Sequence, residues 1–446
     1  MKRAHSCVSF AVCLPLAAGG CTALHSHSRT AAAAPQTALA PAPAAAAPLP
    51  APVQTERFVL KPGQDIVGEV QVVRIKPHQV LSDIARLFDV GNDAIQHANP
   101  KVDPWLAPVG TRVIAPTQFI LPDAPHVGIV VNVAAMRLFY FPPHRPGQPQ
   151  VLITHPVGIG RVGWPTYTGL TRVIGHIAHP AWIVPRSILA EHAHEGVPLP
   201  RVVPAGPTNP LGNWAMPLSP DGYYANVLIH GTDKPAGVGR RVSHGCIHLY
   251  PEDIKQLFRE VPNGTPVRIV NQPFLFAWQH GRLYMQAYGP LQDDKRPWKT
   301  NATLLDRMLT RGLIHDLAHA QQRIDWRRVR SLVADPKVVP LPVSGPGLVG
   351  EGLEATLVQN RLPKGSAWNG KTHLPLTTAQ FRKIMARYDA GLKHGGNRRV
   401  ADGKTEHGER RAHKAGAASP DTATARSADS SADIGSSAVR AQPAAP

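Results

Sequence analysis

Alternating and helical runs of apolar residues mark out the folded parts of this chain, and their absence marks out the rest. Thr22 to Glu56 is mostly alanine and proline with no amphipathic repeat, so residues 22–56 are expected to form a linker, extended at about 3.1 Å per residue. Folding is expected to begin near Val70. Val70–Ile75 and Thr111–Ile114 read as short strands. Between them Val80, Ile84, Ala85, Leu87 and Phe88 share one helical face, and Asp93–His97 predicts a second short helix ahead of Asn99-Pro100. Residues 70–117 are therefore expected to form a small α+β module of strand, helix, helix and strand.

From His126 the period shortens to two. Gly128–Val133 and Arg137–Phe141 flank Ala134-Ala135-Met136 as a hairpin, and Val151–Val157, Leu170–Ile177, Tyr223–His230 and Thr265–Val270 continue the series. A mainly β domain, sandwich or barrel, is expected over 126–271. Glu191 to Gly206 reads as a long loop bordering a cleft, with His192 and His194 solvated. Pro251, two carboxylates beside it, and Ile254, Leu257 and Phe258 on one face predict a short packed helix ending near Arg259. Beyond it, residues 272–394 read as a partly helical C-terminal extension. Its helices are placed at Leu304–Arg327 and Thr377–Leu392, with a Pro/Gly-rich link over Val338–Gly352. Residues 395–446 form a basic tail with almost no large apolar side chains, expected to be disordered.

Composition adds two constraints. The 446 residues include 46 prolines, so much of the chain is not packed core, and a formal charge of +18 points to an anionic partner. No nucleic-acid motif appears and aromatics make up only 6%, which favours a wall polymer or lipid surface over nucleic acid. Lys2 and Arg3 precede a mostly apolar run from Cys7 to Ala18, the layout of an export signal over residues 1–21. Ala18-Gly-Gly-Cys21 resembles the lipobox of bacterial lipoproteins, which makes Cys21 the candidate for lipidation and membrane anchoring, with simple cleavage as the alternative. Of the four cysteines only Cys246 lies beyond that segment. A lone thiol in an oxidising compartment is a liability unless it is buried or used.

Cys246 sits in the stretch that carries the candidate chemistry, Asn226 to Leu249. His230 ends the apolar run Val227-Leu228-Ile229, which fixes its imidazole on a strand, and Gly231 permits a sharp turn after it. Cys246 follows Val242-Ser243-His244-Gly245. A cysteine attacks carbonyls as thiolate and needs an imidazole close by to take its proton. Gly245 admits close approach of the backbone, so the Gly245 and Cys246 amides are candidates to face an oxyanion. His230, His244, Cys246 and His248 are also competent zinc ligands, although their spacing matches none of the usual zinc patterns.

His-Gly, a short loop, then Ser-His-Gly-Cys and an apolar residue resembles the signature of the L,D-transpeptidases, YkuD-type enzymes that remodel peptidoglycan. The resemblance implies Cys246 as nucleophile and His230 as base, with Ser243, His244 and Gly245 shaping the pocket and oxyanion site. It implies no metal and no organic cofactor. Gly231, Arg241 and His248 are the candidates for substrate binding. The family usually carries Arg or Asn where this chain has His248, and His is charged only part of the time near neutral pH. Val157-Gly-Ile-Gly160, Pro198–Pro207 and Asn209-Pro-Leu-Gly212 resemble the subgroup that attaches an outer-membrane lipoprotein to peptidoglycan. Val80-Leu-Ser-Asp-Ile-Ala85, Asn99-Pro100 and Gly110-Thr111 resemble a LysM module, which implies binding to N-acetylglucosamine polymers.

The expected partners are thus peptidoglycan stem peptides and glycan, with a lipoprotein lysine or a diaminopimelate amine as acyl acceptor, in the periplasm or cell envelope. A wall-binding anchor with a degenerate catalytic domain and a thiol peptidase that releases wall-linked amines are the alternatives.

Overall fold

The computed structural model describes residues 48–219, 227–304, 324–345, 348 and 353–369, all within Met1–Lys371, one of the two units into which the chain divides. Cys21, most of the linker, the Thr377–Leu392 helix and the tail lie outside the described residues.

Two sheets form the central domain. The larger runs in the spatial order Arg57–Leu60, Gln150–Pro156, Arg137–Phe141, Gly128–Asn132, Pro266–Val270, Gly169–Arg172. Its neighbours are antiparallel except where Pro266–Val270 lies parallel to Gly128–Asn132. The smaller is Ile177–Ala178, Trp214–Pro217, Leu228–His230, Ile247–His248. Because strand side chains alternate between faces, Ile129, Val131, Ile153, Val267 and Ile269 point from the larger sheet into one core, where they meet Met216, Ile229 and Ile247 of the smaller. The opposite face of the larger sheet is not solvated. Val130, Phe139, Phe141 and Leu152 lie there against Val73, Leu81, Ile84, Phe88 and Val113 of the α+β module, so both hairpin strands read as continuous apolar runs.

The module has the expected order: Gln71–Arg74, Leu81–Leu87, Asn92–Ala98, Arg112–Ala115, with its two strands antiparallel. The predicted hairpin and the helix Pro251–Glu260 are also present. Ile254 and Leu257 of that helix are fully buried, each contributing roughly 1.5–3 kcal/mol.

Three expectations are corrected. Leu170–Ile177 is not one strand: Gly169–Arg172 belongs to the larger sheet and Ile177–Ala178 to the smaller, and the chain crosses between them at Val173, which is fully buried. Part of the predicted loop is the helix Arg186–His194, which starts after Pro185 and buries Ile188. The extension, read as partly helical, also carries strands that were not expected. Phe274–Gln279 and Arg282–Ala287 form a hairpin, turned by His280 (φ 50°) and Gly281 (φ 72°), the positive pair that a two-residue turn requires. Helix Trp326–Ala334 packs on it. Residues 305–323, most of the predicted Leu304–Arg327 helix, lie outside the described residues.

Thr356–Leu357 then returns to the module and pairs in parallel with Gln71-Val72, with Thr356 N–H donating to Val70 O at 3.0 Å and Val358 N–H to Val72 O at 2.8 Å. This covers an otherwise open strand edge. Deleting residues 353–369 is expected to lower the melting temperature by several degrees, about what a loss of 1–2 kcal/mol produces in a domain of this size; an unchanged midpoint in a thermal scan would show that the returning strand contributes nothing.

Candidate active site

The site is built on the parallel pairing of Leu228–His230 with Ile247–His248, in which Ile229 faces Ile247 and His230 faces His248. Ile229 and Ile247 are fully buried in the core. Alternation therefore sends His230 and His248 to the other side, together with Cys246, one residue before the strand. The imidazoles of His230 and His248 lie stacked, with centroids 6.0 Å apart and planes at 29°.

His230 Nδ1 is 2.6 Å from Gly231 O. A carbonyl oxygen can only accept, so Nδ1 carries a proton in this arrangement, and the Leu211 backbone also hydrogen-bonds the ring. Burial, reinforced by His248 alongside, pulls the His230 pKa down to about 3. Burial also pushes the Cys246 thiol up, offset in part by a hydrogen bond with the Leu228 backbone. The resting pair is thus neutral thiol and neutral imidazole. This agrees with the expectation that an imidazole takes the thiol proton, a transfer that in such a neutral pair accompanies attack on carbon.

The turn before the nucleophile is tied by side chains. Ser243 Oγ donates to Cys246 O at 2.6 Å and accepts from Gly245 N–H at 3.2 Å. The Gly245 amide, expected to face an oxyanion, is thereby already engaged. Gly245 has φ 105°, a conformation costly for any other residue. Thr166 completes the turn: its Oγ1 donates to Gly245 O and accepts from Gly160 N–H, both at 2.9 Å. Thr166 carries no signal in the sequence, since an isolated Thr after Pro belongs to no motif.

His244 lies at the mouth. Its Nε2 is 2.8 Å from Glu191 Oε2 and 3.0 Å from an Arg161 guanidinium nitrogen, and its ring meets Trp164 edge-on at 5.0 Å. Glu191 also pairs with Arg161, and these two partners, Arg161 foremost, hold the Glu191 carboxyl below its ordinary range. Arg161 and Glu191 were not candidates from the sequence: Glu191 sits on the helix that was expected to be loop.

The predicted substrate-binding residues fare differently. Gly231 packs against Ile254, whose Cγ2 would lie 3.2 Å from an added Cβ. Arg241 is held by Asp293 through two bonds of 3.1 and 2.8 Å and by Gly160 O at 3.2 Å, so its fork is occupied. His248 is 5% exposed, and burial lowers its pKa to about 4. It is wedged against Gly158, where an added Cβ would fall 1.9 Å from its Cε1. A part-time charge on His248 at neutral pH, expected from its ordinary titration, does not survive this burial.

Among the described residues, Asp89, His155 and Asp253 are the grouping whose ligand atoms lie within 4.8 Å of one another. All three are buried. His155 Nδ1 is 3.1 Å from Asp89 Oδ2 and 3.5 Å from Asp253 Oδ1, with Arg137 3.8 Å from Asp89. Burial first, then Asp89, keeps Asp253 far above the usual carboxylate range. Proton retention and Arg137 thus limit the negative charge of the cluster.

Both His230 and His248 have folded pKa values below the ordinary 6.5. The unfolded chain therefore holds more protons between pH 6.5 and about 4, and the stability these residues confer is present above 6.5 and lost as pH falls. Glu56, raised to about 7 chiefly by burial, acts in the opposite sense between 4.5 and 7, as does Asp253, but both are common to wild type and variant. His248→Gln is expected to lose less stability than wild type on going from pH 6.5 to 4; equal losses in paired thermal scans would mean that His248 is not buried uncharged.

The chain is similar to several known proteins. Residues 126–269 match the YkuD family model, described as the L,D-transpeptidase catalytic domain. The Escherichia coli protein named "Probable L,D-transpeptidase YcfS" is 41% identical over 48% of this chain and 66% of its own length. "Probable L,D-transpeptidase YbiS" of the same species is 40% identical over 51% of this chain and 73% of its own. The solved Ldtfm-avibactam carbamoyl enzyme aligns with 36% of this chain and 55% of its own at 23% identity, with a TM-score of 0.25. On its match to YbiS over 73% of that protein, with the Cys246 and His230 strands in register, this chain belongs to the YkuD-type L,D-transpeptidase family.

Proposed function

We propose that this protein is a peptidoglycan L,D-transpeptidase acting in the cell envelope through a Cys246 thioester. The observation that supports the reading is the register of Leu228–His230 with Ile247–His248, with His230 taken as base and Cys246, one residue before the second strand, as nucleophile. Cys246 Sγ attacks the amide carbon joining meso-diaminopimelate to the terminal D-alanine of a tetrapeptide stem, while its proton passes to His230 Nε2. The tetrahedral intermediate collapses, the C–N bond breaks, and the proton moves from His230 to the departing D-alanine amine. An acceptor amine then attacks the thioester, gives its proton to His230, and the thiol is restored.

The relatives support an acyl transfer, and the subgroup resemblance supports a lipoprotein lysine as acceptor ahead of diaminopimelate. The strand-helix-helix-strand module supports attachment to glycan in the manner of LysM. A lipid anchor at Cys21 would hold the enzyme at a membrane; none of the described helices is long and apolar enough to cross one.

Incubation of the full chain with a tetrapeptide stem and a candidate amine, followed by intact-mass analysis, tests this. Wild type is expected to release D-alanine, show a transient thioester and form the new amide. Cys246→Ala is expected to do none of these, and His230→Ala to fall by about 10²-fold or more. Glycan binding without D-alanine release from wild type would instead make the protein a wall anchor, and thioester hydrolysis without amide formation a thiol peptidase.

A further inference from the structure

The α+β module does more than lie beside the catalytic domain: it grips the loop that joins His230 to Cys246. Asn92, the first residue of the second module helix, is 1% exposed. Its Nδ2 donates to Ala236 O at 3.1 Å and Val238 O at 3.0 Å. Two carbonyls can only accept, so the amide nitrogen must face them. The Asn92 N–H also donates to Val238 O at 3.0 Å, and Asp93 N–H to Gly239 O at 3.1 Å. Beside these bonds the two backbones touch: a Cβ on Gly239 would fall 2.2 Å from Gly91 Cα, and one on Gly91 2.8 Å from Gly239 Cα. Arg240 follows, 3.7 Å from Asp93.

The two carbonyls held by Asn92 flank Gly237, whose backbone hydrogen-bonds the His248 ring. A Cβ on Gly237 would lie 3.2 Å from His248 Nε2. His248 is thus caught between Gly158 on the rigid sheet and Gly237 on the loop, and it stacks at 6.0 Å on its register partner His230. We propose that Asn92 is a positioning residue for the acyl transfer: by holding the Ala236–Val238 backbone it sets the His248 ring, and through that ring the orientation of His230. The proposal rests on the acyl-transfer reading above.

Asn92→Asp keeps the volume but turns an acceptor toward two carbonyls. Asn99→Ala is the control. Asn99 ties the module internally, to Ile95 O, Ile114 O and Ile114 N–H, each at 2.8 Å, bonds that all stay within the module. In the full chain, Asn92→Asp is expected to lower kcat for D-alanine release about tenfold or more with KM within about twofold, because small misplacements of reacting groups cost rate rather than binding. Its His248 ring titration, followed by NMR, is expected to move down by about half a pH unit or more as the Gly237 hydrogen bond, which favours the charged ring, loosens; a rise, the effect of the new carboxylate alone, would count against the proposal. Asn99→Ala is expected to lower the melting temperature while leaving kcat and the His248 titration near wild type. Unchanged kcat or an unmoved His248 titration in Asn92→Asp would overturn the proposal, as would an equal kcat loss in Asn99→Ala. If wild type releases no D-alanine, the acyl-transfer reading fails by itself, and the His248 titration alone decides whether Asn92 sets the ring.

Discussion

One short parallel pairing, Leu228–His230 against Ile247–His248, is the constraint on which the site depends. Side chains alternate along a strand, so the same register that buries Ile229 against Ile247 puts His230 and His248 on the opposite face. A slip of one residue would exchange the apolar and polar sets and place imidazoles in the core. Two further contacts oppose that slip: Gly158 and His248 exchange backbone bonds of 2.8 and 3.0 Å, and Leu249 N–H donates to His230 O at 2.9 Å. Core packing and catalytic geometry are therefore fixed by the same hydrogen bonds.

Burial gives this site its chemical character. An imidazole pulled down to about 3 and a thiol pushed up do not form a stable ion pair, since desolvation penalises the charged form of each. In the proposed acyl transfer, proton transfer from Cys246 to His230 becomes favourable only as charge develops on the substrate oxygen, so stabilisation of that oxygen matters as much as the base. The Gly245 amide is spent on Ser243. Ser243, Gly245 and Thr166 instead hold the turn rigid, fixing the thiol's position before substrate arrives.

The sequence made the strands, the module and the family legible because each has a short-range signature: period two, period 3.6, and a dense His-Gly and Ser-His-Gly-Cys pattern. What it hid depends on distant contacts. Arg241 and His248 were candidates for substrate binding. Asp293, 52 residues on, occupies the first, and two glycine backbones bury the second. Glu191 and Arg161 were invisible as partners of His244 because 53 and 83 residues separate them from it. The Phe274–Ala287 hairpin is a different case. Its alternation was present, but His-Gly is a less familiar two-residue turn than Asn-Gly.

The larger sheet explains why module and catalytic domain behave as one body within the described residues. Its strands bury one set of side chains toward the catalytic core and the alternate set toward the module. Neither face can be exposed without uncovering a continuous apolar surface. Arg137 reinforces the join from inside: it is buried, donates to Thr154 on its own sheet and to Asp89 O at the end of the first module helix, and stacks over Phe119 at 3.8 Å. A guanidinium so placed is held by hydrogen bonds and an aromatic face rather than by water. Against a base that rigid, the Asn92 contacts on the Ala236–Gly239 backbone are made at a fixed distance from the catalytic sheet. A module merely tethered by a flexible linker could not hold them so, and that is the physical reason a module packed on this sheet can also set the geometry of the site beside it.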